Sequence, residues 1–302
     1  MKALVVYNPY SKNNKIEKNI EYIKDTLLNK YDRVDFFKTQ GEKSITNHIE
    51  KVHNEYDLII VSGGDGTINE AINGLAKVNS KTTLGIIPSG TCNDFSKMLK
   101  YSKNIKKQLN NILNGYICPI DICKVNDRYF TYGLALGKYT DVSYKAKRNI
   151  KRIFGKVAYF IQGLKEFFKY TKLDLSIKTN DLDINDKYYC LLALNSSIVA
   201  GFKIKRKNKV KLNDGLIDLT LIKKNTKGLT WPRLMMFFLF GDKQKIGVNT
   251  YQASHVEINS SEKLYINTDG ELALVTNNLV IDVLKNHLNI IVSDKIKNKY
   301  FN

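Results

Sequence analysis

Along the first 125 residues, unbroken apolar runs alternate with segments in which apolar residues recur at helical spacing. Three runs, Ala3–Tyr7, Leu58–Val61 and Thr83–Ile87, are almost wholly apolar, which is typical of parallel strands covered by helices on both faces. Apolar residues then recur at helical spacing after the first run. These residues are Ile16, Ile20, Ile23 and Leu27. Repeated strand–helix units of this kind predict a doubly wound α/β domain with a parallel sheet.

Other segments of this first part follow the same alternation, and Ser44 is placed to cap one helix. They are the strand Val34–Lys38 and the helices Ile45–Val52, Asn69–Ala76, Asp94–Lys100 and Ile105–Leu113.

The pattern changes after residue 125 to short segments in which apolar and polar residues alternate, as antiparallel strands require. The predicted strands are Tyr129–Leu136, Leu173–Lys178, Tyr189–Leu194, Ile217–Ile222, Val256–Asn259, Leu264–Asn267, Val280–Leu284 and Leu288–Val292. Two helices, Val157–Phe168 and Trp231–Leu239, interrupt them. We therefore predict two domains, residues 1–125 and a mainly β domain over residues 126–290, with the last residues free to rejoin the first domain.

Composition narrows the class of protein. Of the 302 residues 43% are hydrophobic, and the formal net charge is +19, so a folded chain that attracts polyanions is expected. The four cysteines and four histidines show no ligand spacing, which argues against zinc. The most apolar stretch, Leu229–Phe240, is shorter than the about 20 residues of a membrane span. We expect a cytoplasmic protein, at most peripheral to a membrane.

A glycine-rich turn, "SGGDGTINE" (Ser62–Glu70), follows one buried run. It is neither a Walker P-loop nor a dinucleotide fingerprint, because Asn69 stands at the third glycine position. Two interpretations remain open: the glycines permit a tight strand-to-helix turn, or the backbone amides and the helix N-terminus hold a phosphate. Asp65 would repel that phosphate unless a cation lay between them, which favours a nucleotide with magnesium.

A second loop, "PSGTCNDF" (Pro88–Phe95), has the same composition after another buried run. Here Asn93 or Asp94 could simply cap the next helix. However, this loop, the glycine turn and "NPYS" (Asn8–Ser11) all follow predicted parallel strands. Such loops border one crevice, which favours a shared ligand site.

These motifs, followed in order by "PIDICKV", "KLNDGLIDLTLI" and "NTDGE", resemble the bacterial diacylglycerol kinase catalytic family, a family of soluble lipid kinases that is similar to sphingosine kinases. The resemblance extends over nearly the whole chain. NAD kinases also contain GGDGT, but the pair Asn69-Glu70 is the lipid-kinase form. The resemblance implies a nucleotide-binding α/β domain, a β-sandwich domain and an active site in the cleft between them.

The resemblance also implies roles for individual residues. ATP contacts are implied at Asn8, Pro9, Tyr10, Ser11, Lys12, Thr39, Gly63, Gly64, Asp65, Gly66, Thr67, Asn69, Glu70 and Thr91. Glu271 is implied as the general base, with Asp65 also in the catalytic set. Asp214 is implied to bind a structural magnesium ion, together with the backbone carbonyls of Lys211 and Leu216. Asp94 and Asp121 would lie between this metal and the nucleotide.

Three positions depart from the family pattern. Lys12 replaces a glycine, Lys97 replaces a frequent arginine, and Asn213 replaces one of two aspartates in the metal loop. Without the resemblance, "NDGLID" and "NTDGE" are each typical of solvated hairpin turns.

The basic runs Lys145–Arg152 and Lys203–Lys209 and the apolar stretch Leu229–Phe240 could each contact an anionic membrane. Alternatively, the two basic runs are solvated surface charge, and the apolar stretch is a helix packed on the second domain. We therefore predict an ATP- and magnesium-dependent kinase that acts on a lipid hydroxyl, with diacylglycerol as the first choice. Another lipid (sphingosine-like or phosphatidylglycerol-like), NAD, or an inactive nucleotide- or lipid-binding regulator remain alternatives. A homodimer is an open option, and a nucleic-acid partner is not expected.

Overall fold

The computed structural model describes residues 1–10, 16–91, 93–137, 173–199, 202–204, 209–223, 236–237, 240–241, 247–269 and 271–301, with the backbone alone at 137, 199, 202 and 271–273. These residues form two compact units. The first contains Met1–Tyr132, Lys209–Leu216 and Val283–Asn302, and the second contains Gly133–Asn208 and Ile217–Asp282. The domain limits expected from the sequence stay a prediction.

The helices and strands of the described residues are numbered in chain order. The first group is β1 (Lys2–Tyr7), α1 (Ile20–Leu28), β2 (Arg33–Lys38), α2 (Ser44–Val52), β3 (Leu58–Gly63), α3 (Asp65–Lys77), β4 (Thr83–Pro88), α4 (Asp94–Met98), α5 (Ile105–Asn114), β5 (Tyr116–Val125) and β6 (Arg128–Phe130). The second group is β7 (Gly133–Gly137), β8 (Leu173–Lys178), β9 (Asp183–Leu194), β10 (Ile198–Val199), β11 (Phe202–Lys203), β12 (Ile217–Lys223), β13 (Val248–Ala253), β14 (His255–Thr268), β15 (Glu271–Val292) and α6 (Asp294–Tyr300). Short 3-10 turns lie at Glu17–Asn19 and His53–Glu55.

The first unit contains a parallel sheet in the order β2–β1–β3–β4. Every residue of β3 and β4 is buried, as the unbroken apolar runs predict. Side chains of α1 and α5 pack on the sheet around Val5 and Ile60, while α2 packs against α3. Near the end of the chain, Asn289 and Ile290 of β15 pair in parallel with β4. The predicted doubly wound α/β architecture is confirmed.

The second unit contains an antiparallel sheet in the order β13–β12–β9–β7–β14. The first half of β15 pairs with β14. β8 pairs with the first halves of β9 and β14, and β7 pairs with their second halves. One side of the sheet is closed by a cluster of buried residues. Its members are Tyr189, Cys190, Leu192, Leu194, Ile204, Ile222, Phe237 and Val248.

Some predicted boundaries were wrong. The helix expected at Asn69–Ala76 begins earlier, at Asp65. Ser44 is not the N-cap of α2, because Lys43 takes that position and Ser44 Oγ instead accepts the N–H of Gln40 at 3.1 Å. The strand expected at Tyr129–Leu136 is divided into β6 and β7.

β14 and β15 are each one long strand where two short strands were expected, and β5 had not been predicted. The expected helix Val157–Phe168 lies outside the described residues, as does most of Trp231–Leu239. In the part of the chain that the structure describes, no helix is both long enough and apolar enough to cross a membrane.

Candidate active site

The loops that follow β1, β3 and β4 lie together at one edge of the parallel sheet. Tyr7 pairs with Ser62, and Gly63 pairs with Pro88, so the three strands end side by side. The Asn8 N–H donates to the Ser62 carbonyl at 3.1 Å, and the Ser89 N–H donates to the Gly63 carbonyl at 2.9 Å. In doubly wound sheets this edge is where ligands bind.

Glycines let two of these loops touch. A Cβ on Gly90 would lie 2.3 Å from the Gly64 Cα and 2.6 Å from Asn93 Oδ1, and a Cβ on Gly63 would lie 2.2 Å from the Thr67 Cβ. A Cβ on Gly64 would be only in ordinary contact, 3.5 Å from the Gly90 Cα. Close packing therefore explains Gly63 and Gly90 without a ligand, and the case for a phosphate rests on the helix and the polar groups.

Helix α3 begins directly at the glycine turn. Gly64 is its N-cap and makes no side-chain cap, and the Ile68 N–H donates to the Gly64 carbonyl at 3.0 Å. The N–H groups of Asp65, Gly66 and Thr67 in the first turn consequently have no helical acceptor. Three such donors at the positive end of a 13-residue helix can bind an anion.

Asp65 connects the two glycine loops. Its Oδ2 accepts the N–H of Asn93 at 2.7 Å. Burial, and secondarily the charge of Asp94, raise the pKa of Asp65 to about 6, although the amides of Asn93, Asp94 and Phe95 act in the opposite direction. Its other oxygen, Oδ1, is buried and has no hydrogen-bond partner among the described residues.

Asn93 precedes α4 in the left-handed conformation, with φ of 54°. Asn93 occupies the N-cap position of α4, as one alternative expected, but its side chain makes no capping hydrogen bond. Instead Nδ2 donates to the Gly90 carbonyl at 2.7 Å, and Oδ1 is buried with no partner within the described part of the chain. Asp94 follows, 2% exposed, with Lys97 Nζ at 3.5 Å from its Oδ1.

Two buried oxygen atoms that can only accept, Asp65 Oδ1 and Asn93 Oδ1, therefore lie in neighbouring loops. Oxygen atoms of this kind suit a hard cation such as magnesium, which proteins commonly hold by one or two carboxylates together with substrate phosphates. The described residues contain no cluster of three His, Cys, Asp or Glu side chains arranged to hold a metal. The loop pair thus fits a metal that phosphate groups help to bind.

Several predicted ATP contacts brace the loops through their own side chains. Thr39 Oγ1 lies 2.5 Å from Ser44 Oγ, and Asn8 Oδ1 accepts the Tyr10 N–H at 2.9 Å. Asn69 Oδ1 accepts from Asn73 Nδ2 at 2.9 Å. The remaining predicted contacts lie in the same loops or in the first turns of α3, at Pro9, Gly66, Thr67, Glu70 and Thr91. Ser11 and Lys12 lie outside the described residues.

The predicted metal loop also belongs to the first unit. Asp121, fully buried on β5, braces it: Oδ2 accepts the Gly215 N–H at 2.6 Å and Oδ1 accepts the Asn286 N–H at 2.8 Å. Burial raises the pKa of Asp121, and the nearby charge of Asp214 raises it further. Asp214 Oδ1 accepts the Leu216 N–H at 3.0 Å. A cation beside Asp214 would relieve the repulsion between the two carboxylates, so the loop fits a metal there, and the predicted ligands Lys211, Asp214 and Leu216 stay a prediction.

In the second unit, the turn between β14 and β15 holds the predicted base. Thr268 pairs with Glu271, and Asp269 between them has φ of 50°. Asp269 is only 6% exposed; its N–H donates to the Gly133 carbonyl at 2.8 Å, and its Oδ1 accepts the Gly133 N–H at 3.1 Å. Thr268 and Asp269, the described part of this turn, are therefore buried and not solvated. The Glu271 side chain lies outside the described atoms.

Sequence reasoning did not assign Gly90 and Asp269 to the site. Gly90 had a local signal, since Ser89-Gly90 follows a buried run just as Ser62-Gly63 does. Asp269 acts through Gly133, which lies 136 residues away along the chain. No local pattern could have revealed that contact.

Comparison with known proteins identifies both parts of the chain. Residues 2–125 match the diacylglycerol kinase catalytic domain, and residues 137–292 match the YegS C-terminal NAD kinase beta sandwich-like domain. The β-sandwich expected for the second domain is thereby confirmed.

Individual relatives agree with these family matches. A diacylglycerol kinase of Bacillus subtilis (strain 168) is 31% identical over 277 residues, which cover 89% of each chain. A diacylglycerol kinase of Staphylococcus epidermidis is 33% identical over 278 residues and covers 89% of this chain and 85% of its own. The crystal structure of a candidate diacylglycerol kinase from Bacillus anthracis (strain Sterne) superposes with a TM-score of 0.82 at 26% identity over 98% of both chains. The chain belongs to the diacylglycerol kinase family of lipid kinases.

Proposed function

We propose that this chain is an ATP- and magnesium-dependent kinase that transfers the γ-phosphoryl group to the hydroxyl of diacylglycerol and so produces phosphatidic acid. One observation carries the proposal beyond family membership. Two loops in contact at Gly64 and Gly90 combine helix N–H groups that have no helical acceptor with two buried acceptor oxygens, on Asp65 and Asn93, that have no hydrogen-bond partner among the described residues. Donors of this kind bind phosphate, and acceptors of this kind bind its cation.

The residues of the first unit have a positioning role in this proposal. The N–H groups of Asp65, Gly66 and Thr67 orient the phosphates, and Asp65 Oδ1 and Asn93 Oδ1 face the magnesium ion. When bound, magnesium neutralises charge on the phosphates. Asp65 is held for this role because its other oxygen is fixed by the Asn93 N–H. Phosphoryl transfer depends mainly on such positioning and charge stabilisation.

Glu271 is proposed as the general base that takes the proton from the acceptor hydroxyl while the hydroxyl oxygen attacks the γ-phosphorus, the bond from that phosphorus to the β,γ-bridging oxygen breaks, and ADP leaves. The turn supports this role because both hydrogen bonds between Asp269 and Gly133 fix the backbone just before Glu271. A second magnesium ion is proposed at Asp214 and the carbonyls of Lys211 and Leu216. Asp94 and Asp121 would then connect that loop with the nucleotide site.

The acceptor is a membrane lipid, so we propose that the protein works in the cytoplasm at an anionic membrane surface. The net charge of +19 supports this location, since each basic residue near an anionic leaflet contributes about 1 kcal/mol. The basic run 145–152 lies outside the described residues, and so does most of 203–209 and 229–240. Which segment meets the lipid, and whether two copies pair, stay predictions.

The test incubates the purified full chain with labelled ATP, magnesium and diacylglycerol in vesicles that contain an anionic phospholipid. We expect labelled phosphatidic acid, and we expect magnesium chelation to stop its formation. Parallel arms replace diacylglycerol with sphingosine, phosphatidylglycerol or NAD. Transfer only in one of those arms would reassign the acceptor, and no transfer in any arm would leave the inactive regulator as the better description.

Glu271→Gln tests the proposed base within the same assay. The variant should bind ATP as before and lose at least about 100-fold in turnover, in the range that general bases contribute. Glu262→Gln is the matched control, because Glu262 is an exposed carboxylate of the same hairpin. Equal turnover in the two variants would remove Glu271 from the role of base.

A further inference from the structure

Asn195 is a buried amide that none of the roles above uses. It directly follows β9, it is 2% exposed, and its Nδ2 finds no hydrogen-bond partner among the described residues. The next residues form hydrogen bonds of their own. Ser196 Oγ accepts the Ile198 N–H at 2.9 Å and donates to the Ile198 carbonyl at 2.8 Å. Asn195 is therefore a buried donor beside a hydrogen-bonded turn, and such a donor, with no partner among the described residues, is costly unless a ligand supplies an acceptor.

The strand register places Asn195 at the same end of the sheet as the Glu271 turn. Leu194, the residue before Asn195, pairs with Gly133 of β7. Gly133 exchanges two hydrogen bonds with Asp269, which lies in the turn just before Glu271. One strand separates β9 from β14, so the backbones of Asn195 and the turn lie roughly 10 Å apart. A glycerol headgroup and two side chains can bridge that distance.

We propose that Asn195 binds the acceptor lipid, with Nδ2 donating a hydrogen bond to an ester carbonyl oxygen of the diacylglycerol. This inference rests on the proposed function. An N–H donor needs an acceptor, and the two ester carbonyls of diacylglycerol are acceptors only. The hydroxyl of the same lipid must instead donate its proton to Glu271. Asn195 and Glu271 would thus form hydrogen bonds to different oxygens of one headgroup. Lipids without ester carbonyls should therefore be weaker substrates.

The experiment compares a 1,2-diacylglycerol with the dialkyl ether analogue that has the same chains and the same free hydroxyl, in vesicles of one phospholipid composition. The wild type should use the diester with a kcat/KM roughly tenfold higher, the effect of one neutral hydrogen bond. Asn195→Ala should lose about tenfold on the diester and stay unchanged on the ether. Asn259→Ala is the matched control, because it deletes an exposed amide in β14, away from the turn.

The outcomes separate the two proposals. Phosphorylation of both lipids at equal kcat/KM by the wild type, or an Asn195→Ala variant that keeps the ester preference, would overturn the role of Asn195 and leave the kinase proposal intact. A variant that loses activity equally on both lipids would mark Asn195 as structural. If neither lipid is phosphorylated by the wild type, the proposed function itself fails. Should Asn195→Ala not fold, Asn195→Leu fills the same volume without a donor, and the wild-type comparison stands alone in any case.

Discussion

The paired glycine loops of the first unit and the turn before Glu271 in the second unit each contain an aspartate that accepts a backbone N–H from another part of the chain, but the two regions are built differently. Asp65 fixes its loop partner Asn93 over 28 residues of chain, within two motifs that can be seen in the sequence. Asp269 fixes Gly133 over 136 residues, across strands that no motif connects. The proposed nucleotide site of the first unit is therefore local in sequence, whereas the turn of the second unit depends on strand register.

The two regions also differ in what they leave unsatisfied. Within the described parts of the chain, the acceptor oxygens Asp65 Oδ1 and Asn93 Oδ1 in the loops have no hydrogen-bond partner, and neither has the donor Asn195 Nδ2 after β9. Acceptors require a cation or a donor, while a donor requires an acceptor such as a carbonyl. This difference corresponds to the two proposed substrates: a phosphate–metal complex in the first unit and a neutral ester lipid in the second.

The largest effect is expected at the contact between the loops. Gly90→Ala should lower kcat/KM by about 100-fold or more, because its Cβ would lie 2.3 Å from the Gly64 Cα and force the loops apart. Overpacking of this kind should also reduce the free energy of unfolding by about 1–3 kcal/mol. ATP titration and chemical denaturation measure the two effects.

Gly64→Ala provides the comparison for Gly90→Ala, since its Cβ would meet the same neighbour at an ordinary 3.5 Å. We expect a clearly smaller loss of activity in this variant. Equal losses in the two variants would mean that the contact distance is not what makes glycine necessary at position 90.

The next largest effect concerns the turn. Asp269→Ala should lower kcat by about 10- to 100-fold, because it removes the acceptor for the Gly133 N–H and places a less tolerant residue at φ of 50°. Asp269→Asn should recover most of the activity, since asparagine accepts the same hydrogen bond and tolerates this conformation. Steady-state kinetics with diacylglycerol measure both variants. An asparagine variant as poor as the alanine variant would show that the negative charge itself is required.

The sequence predicted the parallel sheet best, for a physical reason. β3 and β4 are buried on both faces, so their residues form unbroken apolar runs. β5 escaped prediction because its first residues, Tyr116 and Ile117, are exposed and Pro119 interrupts the run. β14 was divided in two because its pairing shifts between Asn259 and Leu264, where the polar residues of an irregularity break the alternation.

The residues of the candidate site were likewise predicted only where a local sequence pattern marks them. Motif composition identified Asp65 and Asp94 as site residues, but it left open whether Asn93 or Asp94 simply caps the next helix. Only the left-handed backbone at Asn93 turns its amide toward Gly90 and away from the helix. Asn195 and Gly133 carry no motif, since their importance follows from which strands pair. Local patterns thus predict loops whose partners are near in the chain, and they miss contacts made by register.

A moderate effect is expected from magnesium at the loop of Asp214. In the absence of nucleotide, added magnesium should raise the Tm of the wild type by a few degrees, because a ligand that binds only the folded state stabilises it. Asp214→Ala should abolish that increase, whereas Asp127→Ala, at an exposed carboxylate of the same unit, should retain it. The Tm of each protein is measured in magnesium chloride and in sodium chloride of equal ionic strength, so that a general effect of salt can be subtracted. An identical increase in both variants would place the metal elsewhere.

The smallest expected effect is a change of the protein's stability with pH that Asp65 causes, which can be measured separately from its proposed role in binding magnesium. Burial raises the pKa of Asp65 from 3.8 to about 6. The carboxyl group of Asp65 therefore holds its proton more tightly in the folded state than in the unfolded state. Between about pH 4 and pH 6, the contribution of Asp65 to the free energy of unfolding consequently falls as the pH rises. Asp65→Asn is neutral at every pH. Without nucleotide or magnesium it should match the wild type near pH 4 and exceed it above pH 6, by about 2–4 °C in Tm for roughly 1 kcal/mol.

The same Asp65→Asn variant should lose kinase activity, because the amide cannot replace a carboxylate that faces magnesium. Asp127→Asn is the control for the thermal measurement, since it makes the same substitution at an exposed aspartate of the same unit. A wild type that stays as stable as Asp65→Asn at pH 8 would mean that the buried carboxylate is already compensated without a cation. Asp65 Oδ1, which has no hydrogen-bond partner among the described residues, would then no longer indicate a metal site. The glycine loops and the turn before Glu271 would then differ only in how their hydrogen bonds connect the chain.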